Sequence, residues 1–210
     1  MRHVEEVQSR VNGANGRRVI GAEERERFHA YLGEIFTALG MDLGTPGTRD
    51  TPRRFLSALV EATGGYEGDA KLLTVFPAEH GDSAHPGMII EGPIAFHALC
   101  EHHALPFYGT AHVGYVAGDR LLGISKLTRL VRVFARRFTV QERLGEQIAD
   151  ALTEMVDAEG VAVRLEAAHL CTHIRGVMGP SRTVTTHWRG VFGDSSLRRE
   201  FQTEVSNMRS

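Results

Sequence analysis

The chain of 210 residues is long enough for one well-cored domain and too short for two large ones. Apolar residues make up 42% and charged residues 24%, which argues against wholesale disorder, and a net charge of −2 gives no global basic field for nucleic acid. No apolar run approaches the roughly 18 residues of a membrane span, and residues 1–21 have no apolar signal-peptide core, so we expect a cytoplasmic protein with no membrane partner.

The amino-terminal third is predicted to contain a flexible arm, residues 1–20, and a helical region, residues 21–65. Apolar side chains repeat at helical spacing over 22–39, and a glycine follows as a stop. A second helix is predicted over 50–62, with a capping aspartate and with Pro52 in its first turn. This pair of helices could pack on the main body or on a neighbouring chain.

The remaining residues, 66–210, are predicted to form an α+β domain with an antiparallel sheet and with helices inserted between strand pairs. The irregular stretch 65–86 is expected to be a loop. Period-two patterns predict strands over 88–96, interrupted at Gly92 and Pro93, and over 109–116, 161–171 and 182–191, whereas helical periodicity predicts helices over 124–138, 139–155 and around 197–205. Thr139 and Glu142 match a capping box.

In the strand predicted over 161–171, alternate side chains from Val161 to Cys171 share one face. His169 and Cys171 on this face would lie about 7 Å apart, which is twice the rise of about 3.3 Å per residue. One side chain could then hold a metal while the other reaches a substrate. Taken alone, each could instead be an ordinary core residue.

Cys100 and His103 are the first candidates for chemistry, because a thiol and an imidazole three positions apart can bind one zinc ion. Cys171, the only other cysteine, is the candidate third ligand. Three protein ligands leave the fourth tetrahedral position for water or substrate, which is typical of a catalytic zinc site. A disulfide is the alternative, but a cytoplasmic chain with neighbouring histidines favours metal. These residues indicate an enzyme.

Two residues near these candidates have two interpretations each. His102 cannot easily share a metal with His103, since adjacent side chains diverge, and it is suited to proton transfer. It could instead be a surface histidine or one that only orients a ligand. Glu142 could complete the capping box, or it could accept two hydrogen bonds from the ring and exocyclic N–H groups of guanine.

A basic stripe on the helix predicted over 124–138 contains Lys126, Arg129, Arg132 and Arg136. Such a stripe can be a solvated face or an RNA-facing surface. However, Ser125 and Lys126 lie at the predicted helix N-terminus, where free N–H groups and the helix dipole attract anions. A phosphate-bearing small molecule fits better than nucleic acid, because there are no interleaved aromatic residues and no other concentrated basic surface. There is no Walker-type loop.

Several separate motifs resemble those of the GTP cyclohydrolase I family, and they occur in the order of that family. They are residues 100–103 (CEHH), 123–127 (GISKL) with Arg129, 135–137 (ARR), 141–144 (QERL), and 169–171 (HLC) followed by 175–177 (RGV). The likeness runs from about residue 50 to residue 192. It implies a subunit with the tunnelling fold, whose catalytic domain would be residues 66–210, in a homodecamer of two pentamers with active sites between subunits.

The resemblance also implies a reaction and a role for each site residue. Zn²⁺ would be held by Cys100, His103 and Cys171, and water would attack C8 of the guanine ring of GTP. Formate would leave, and rearrangement and ring closure would give dihydroneopterin triphosphate, the first step of folate or pterin synthesis. His169 would assist protonation of the imidazole ring, and His102 would act near the ribose. The base would be held by Gln141 and Glu142, and the triphosphate by Ser125, Lys126, Arg129 and Arg175, with Arg54 from another subunit.

Small departures from the family pattern follow the second cysteine. Thr172 and Ile174 replace a common methionine and another apolar residue, and His173 adds an imidazole that could compete for metal if the strand continued regularly. Relatives with the same fold include a nitrile reductase with a cysteine nucleophile and a pterin synthase with a three-histidine zinc site. A structural zinc module with an RNA-binding helix is the alternative from another class, and it predicts a fourth protein ligand.

Overall fold

The computed structural model describes residues 20–73, 75–78 and 87–208, and the arm predicted at residues 1–20 lies outside them except for Ile20. The helices are α1 (Ala22–Ala38), α2 (Thr51–Ala62), α3 (Ile124–Ala135), α4 (Gln141–Val156), the single turn α5 (Leu170–His173) and α6 (Ser195–Asn207). The strands are β1 (Val75–Pro77), β2 (Met88–Cys100), β3 (Pro106–Val116), β4 (Arg120–Leu122), β5 (Phe138–Thr139), β6 (Gly160–His169) and β7 (Arg182–Gly190). Short 3₁₀ helices occupy Gly64–Glu67, Ala70–Leu73 and Val191–Gly193.

The main sheet has five strands in the order β5-β2-β3-β6-β7. The pairs β2–β3, β3–β6 and β6–β7 are antiparallel, and only the two-residue β5 runs parallel to its neighbour. The register pairs Phe107 with His169, which brings the start of β3 beside the end of β6. A separate two-stranded sheet joins β1 to β4. The predicted α+β class is therefore confirmed.

One face of the main sheet carries the larger core, because α3 packs on β2, and α4 packs on β6 and β7. The period of about 3.6 residues gives each helix one apolar side: Leu127, Leu130 and Phe134 of α3 and Leu144 and Ile148 of α4 are at most 1% exposed. The opposite face of the sheet has a smaller cluster, in which α6 contributes its buried apolar residues. Within the described residues, none of the helices combines the length and the apolar character that crossing a bilayer requires.

The helices predicted over 22–39 and 50–62 are present as α1 and α2. The strand predicted over 88–96 continues to Cys100, and its interruption is a shift of register between Glu91 and Ile94 at a cis Gly92–Pro93 bond. The stretch predicted as loop contains two 3₁₀ helices and β1 in its described part.

Four details of the prediction are wrong. The strand predicted over 161–171 ends at His169, because the chain turns into α5 there. The capping box is absent: the N-cap of α4 is Val140, and the Thr139 hydroxyl donates to the Val140 carbonyl oxygen. The Asp50 side chain makes no capping hydrogen bond to α2. The helix predicted over 124–138 ends at Ala135, because residues 138–139 pair with β2 as β5.

Candidate active site

Cys100, His103 and Cys171 come together in the structure. One ligand atom from each of the three side chains lies within 4.8 Å of the other two. Zinc bonds of about 2.0–2.3 Å place tetrahedral ligand atoms roughly 3.3–3.8 Å apart, so small side-chain movements would close these residues on an ion. Two thiols and an imidazole are the donors that zinc prefers, and among the described residues no fourth histidine, cysteine or carboxylate joins the group.

The ligand cluster is assembled from the ends of three elements. Cys100 is the last residue of β2, and its N–H donates to the Leu105 carbonyl oxygen at 2.9 Å across the tight turn that carries His103. Cys171 lies on α5, so the turn after β6, rather than strand alternation, directs its thiol to the cluster. The two cysteines are 5% and 9% exposed, whereas His103 lies on the exposed rim.

The surroundings of the Cys171 thiol raise its pKa. Burial, with a further contribution from the adjacent Cys100 thiol, raises the pKa of Cys171, and the charge of Arg175 acts in the opposite direction. The Cys171 thiol therefore ionises reluctantly by itself. A divalent cation removes that cost, since metals bind the thiolate form.

His169, at the end of β6, is held on two sides. Its ring stacks on Phe107 with the centroids 4.7 Å apart and the planes at 1°, and its Nε2 lies 2.8 Å from Oε1 of Gln141. The Gln141 amide nitrogen donates to the Thr183 carbonyl oxygen at 3.0 Å and to that of Leu165 at 3.3 Å, which fixes the orientation of the amide. Oε1 must then accept, so Nε2 of His169 carries a proton and Nδ1 has the free lone pair.

The protonation state of His169 follows from its surroundings. Burial is the largest influence on the pKa of His169 and lowers it below the ordinary value, against the opposing charge of Glu142 and with a small contribution from His173. The ring is therefore neutral at pH 7. Glu142 itself is exposed on the first turn of α4 and lies near enough for its charge to act on this ring.

His102 and His173 stay outside the ligand cluster. The rings of His102 and His103 are nearly perpendicular, at 89°, with centroids 6.3 Å apart, so the two adjacent side chains diverge as predicted. His102 is exposed beside the cluster. His173 lies on α5, and its Nε2 is 2.7 Å from the Ser181 carbonyl oxygen. Because the strand does not continue past His169, the competition for metal that a regular strand would have allowed does not arise.

A salt bridge that the sequence did not indicate fastens the turn after β2 to α4. Both guanidinium nitrogens Nη1 and Nη2 of Arg143 donate to the Glu101 carboxylate, the second at 3.0 Å. Glu101 lies between Cys100 and His102, and Arg143 follows Glu142. The two partners are 42 positions apart, so no local pattern could have paired them.

The predicted phosphate-binding residues of α3 form a second group. Ser125 and Lys126 lie on the first turn of α3, and Arg129 lies one turn further on. Arg129 Nη1 is 2.8 Å from the Asp69 carboxylate, and the Lys126 ammonium donates to the Lys71 carbonyl oxygen. Asp69 is an isolated aspartate in an irregular stretch, so no periodicity or motif in the sequence indicates its role.

A single chain does not bring the two groups together. α3 begins just after β4, where the Leu122 N–H donates to the hydroxyl of Tyr115, near the end of β3. The other end of α3 lies beside Cys100, which pairs with Thr139 of β5. The 12 residues of α3 span about 18 Å at 1.5 Å per residue. The first turn of α3 and the ligand cluster therefore lie at opposite ends of this helix.

The last two predicted arginines differ in their position. Arg175 is exposed just after α5, and its charge reaches Cys171. Arg54 lies on α2 and makes its hydrogen bonds within its own hairpin, to the Gly47 carbonyl oxygen at 2.6 Å and to the Thr51 hydroxyl at 3.3 Å. Arg175 thus belongs to the ligand-cluster group, whereas Arg54 belongs to neither group in this chain.

The fold, the three-ligand cluster and the oriented imidazole define the class of protein as an α+β enzyme with a candidate metal centre. A family model described as GTP cyclohydrolase I matches residues 28–206, and the chain belongs to the GTP cyclohydrolase I family. It is 40% identical over 189 residues to GTP cyclohydrolase 1 of Saccharomyces cerevisiae, covering 86% of this chain and 76% of the yeast protein.

Bacterial relatives are equally similar. GTP cyclohydrolase 1 of Campylobacter jejuni is 40% identical over 177 residues, covering 84% of this chain and 92% of the relative. GTP cyclohydrolase 1 of Thermobifida fusca is 42% identical over 181 residues, covering 84% and 85%. A crystal structure of the archaeosine synthase QueF-Like in the apo form has a TM-score of 0.40 and 14% identity, over 52% of this chain and 97% of that one.

Proposed function

We propose that this chain converts GTP to dihydroneopterin triphosphate with release of formate, using a zinc ion held by Cys100, His103 and Cys171. The convergence of these three ligand atoms within 4.8 Å, in a chain of the GTP cyclohydrolase I family, is the observation that carries the proposal. Three protein ligands leave one tetrahedral position open, which suits catalysis better than a structural role. Bound zinc would supply Lewis acidity that lowers the pKa of a water molecule, giving a nucleophile for C8 of guanine at neutral pH.

His169 is the proposed proton carrier for the imidazole ring of the substrate. Its neutral ring presents the lone pair of Nδ1, while Gln141 holds the proton at Nε2 and stacking on Phe107 fixes the ring plane. Nδ1 can take up a proton and deliver it to the opening ring. In this role Gln141 is a positioning residue, and its predicted contact with the base stays a prediction. His102, exposed beside the cluster, is proposed to act near the ribose.

The recognition of GTP is proposed to use charge at both ends of the nucleotide. Glu142 is proposed to accept two hydrogen bonds from guanine, and no capping box competes for its carboxylate. The triphosphate is proposed to be bound by Ser125, Lys126, Arg129 and Arg175, with Arg54. Since the first turn of α3 and the ligand cluster lie at opposite ends of a helix about 18 Å long, these groups are proposed to act on one GTP molecule across a subunit boundary.

Two open sheet edges support assembly. Within the described residues, β7 has no strand on its outer side, and the outer side of β2 is covered by β5 only at Leu99 and Cys100. Long exposed edges are rare in stable monomers, and pairing β7 of one copy with β2 of the next would close a ring. The open edges support the assembly that the family resemblance implies, and we propose the tunnelling-fold homodecamer of two pentamers. The division at residues 20 and 65 and a cytoplasmic location, which the two free thiols favour, also remain proposals.

Formate release from GTP, measured together with metal content, tests the proposed function. Wild-type protein should bind one zinc per chain and release formate stoichiometrically with dihydroneopterin triphosphate. Cys171→Ala should lose the zinc and the activity, since two ligands hold the ion poorly. Tight stoichiometric zinc in a wild-type protein that neither binds GTP nor releases formate would instead support the structural zinc module with an RNA-binding helix.

A further inference from the structure

The segment that follows α2 faces α3 across an open cleft of about 650 Å³. On one side the cleft is lined by Gly64, Gly65, Gly68, Asp69 and Ala70, and on the other by Ser125, Thr128, Arg129, Arg132, Val133 and Arg136. Three arginines against one aspartate make the cleft positive. Asp69 is the only carboxylate in this lining, and it points at one of the cations that are proposed to bind triphosphate.

Arg129 and Lys126, two of the cations that are proposed to bind the triphosphate, both contact the segment that follows α2. Asp69 Oδ2 lies 2.8 Å from Arg129 Nη1, while its other oxygen accepts the Lys71 N–H at 2.9 Å. The Lys71 carbonyl oxygen accepts from the Lys126 ammonium. Asp69 and Lys71, two residues apart, therefore fix the positions of Arg129 and Lys126, which are three residues apart on α3.

The segment can hold these cations because hydrogen bonds and close packing fix it against the end of α3 and the residues that follow. The Gly65 N–H donates to the Arg136 carbonyl oxygen at 2.8 Å, and the Gly65 carbonyl oxygen accepts from Nη2 of the buried Arg137 at 2.9 Å. The approach is so close that a Cβ atom on Gly65 would lie 2.1 Å from the Val133 carbonyl oxygen, so only glycine fits. Leu72, which is fully buried, anchors the other end in the core.

We propose that Asp69 is a positioning residue for substrate binding, which with the Lys71 carbonyl oxygen holds Arg129 and Lys126 ready for the triphosphate of GTP. The inference rests on the proposed function, because it assigns the ligand of these cations. Arginine has five N–H donors and lysine three, so one contact each to the segment leaves most donors for phosphate oxygens. Long side chains that are ordered before binding lose less conformational entropy when the ligand arrives.

The charge state of Asp69 agrees with this role. Burial acts to raise the pKa of Asp69, but the hydrogen bond from Arg129, the Lys71 N–H and the nearby positive charges together lower it below the ordinary value. The carboxylate is therefore ionised at neutral pH. The opposite role is that Asp69 competes with phosphate for Arg129, and the two roles predict opposite changes in affinity when the charge is removed.

Asp69→Asn in the full chain separates these roles, with inorganic tripolyphosphate and GTP as probes in calorimetry and steady-state kinetics. We expect about tenfold weaker binding of tripolyphosphate and a similar rise in KM for GTP, with kcat within about twofold. In the variant the cations are no longer held in place before binding, so ordering them costs conformational entropy when the ligand binds. Asp69→Glu should recover part of the affinity. In an Arg129→Ala background, Asp69→Asn should have little further effect.

Asp150→Asn is the matched control, because Asp150 forms an ion pair of the same length, 2.8 Å, with Arg189 of β7, and neither residue lines the cleft. It should leave KM and tripolyphosphate affinity unchanged. Unchanged or tighter binding in Asp69→Asn, with thermal unfolding like that of wild type, would overturn the positioning role. Wild-type protein that binds neither probe would overturn the proposed function as well, so the two failures are distinguishable.

Discussion

Gln141 has contacts within the chain that its sequence motif did not indicate. Its side chain is 1% exposed and each end of the amide is occupied, the oxygen by His169 and the nitrogen by backbone carbonyl groups. A buried amide with these partners orients the imidazole and selects its tautomer. The neighbouring Glu142 is exposed and available to substrate. Two adjacent residues of one motif thus have different partners, because the first turn of α4 points them in different directions.

Gln141→Leu should lower kcat on the order of 10- to 100-fold with little change in KM, because His169 loses the acceptor that fixes its proton. Steady-state formate release measures both constants. Gln147→Leu, on the same helix but only partly buried, serves as the control and should leave both unchanged. If KM rose and kcat were preserved, Gln141 would be holding the base directly, and the positioning role would be wrong.

At the scale of elements, the contact between α4 and β7 has almost no free space. A Cβ atom on Gly145 would lie 2.3 Å from Cδ2 of His187, closer than real contacts allow. Gly145→Ala should therefore destabilise the protein by about 1–3 kcal/mol, measured by urea unfolding. Gly33→Ala in α1, where the nearest atom is 3.7 Å away, should be neutral or slightly stabilising. Equal stability of Gly145→Ala and wild type would contradict this packing.

The same contact predicts a pH dependence of stability. Burial is the main cause that lowers the pKa of His187, with Arg189 acting in the same direction and Glu146, Glu142 and Asp150 opposing it. Its Nε2 is buried without a hydrogen-bond partner among the described residues. As the pH falls below the ordinary histidine pKa of about 6.5, His187 is protonated in the unfolded chain before it is protonated in the folded chain. The free energy of unfolding therefore falls as pH decreases, by at most about 1.4 kcal/mol per pH unit for this group.

His187→Gln removes this titration, so its free energy of unfolding should fall less steeply between pH 7 and pH 5 than that of wild type. Urea unfolding at several pH values measures the two slopes. His169 also has a lowered pKa, so part of the slope should persist in the variant. Identical slopes would show that His187 is not the titrating group.

The local sequence pattern was enough to predict where most helices and strands lie, but it did not predict correctly where they end. The apolar periodicity of α3 and α4 is written in consecutive residues, so both helices were predictable. The end of α3 was not, because residues 138–139 leave the helix to pair with Leu99 and Cys100, about 40 positions earlier. The turn from β6 into α5 has a similar cause: Cys171 joins residues 71 and 68 positions earlier in the chain, and alternation along one strand contains no information about that contact.

For the whole molecule, the separation of the ligand cluster from the first turn of α3 makes it possible to test whether each active site is shared between two subunits. Cys171→Ala and Lys126→Ala should each be inactive alone. When the two are co-expressed or refolded together, about a quarter of the sites should combine two intact halves, if mixing is random between subunits. Formate release from the purified mixed oligomer measures the recovery.

The pair Cys171→Ala and His103→Ala is the control for that experiment, because both changes fall in the same half of the site and no mixed site is intact. Recovery in neither mixture would mean that each site lies within one chain, and would contradict the shared active site. Light scattering of wild-type protein should give the mass of ten chains. A monomer would contradict the closed ring of sheets.

The sequence by itself determined which residues are candidates for the chemistry: the proposed thiol and imidazole ligands, the histidines beside them and the basic first turn of α3 are all readable from residue type and short spacing. Only the tertiary structure decided how they are used. It brings Cys171 to Cys100 through a helical turn, ties Gln141 to His169, and sets Asp69 against Arg129. The physical reason is range: periodicity and motif spacing record contacts within a few residues, whereas these pairings depend on strand register and packing across 28 to 71 positions.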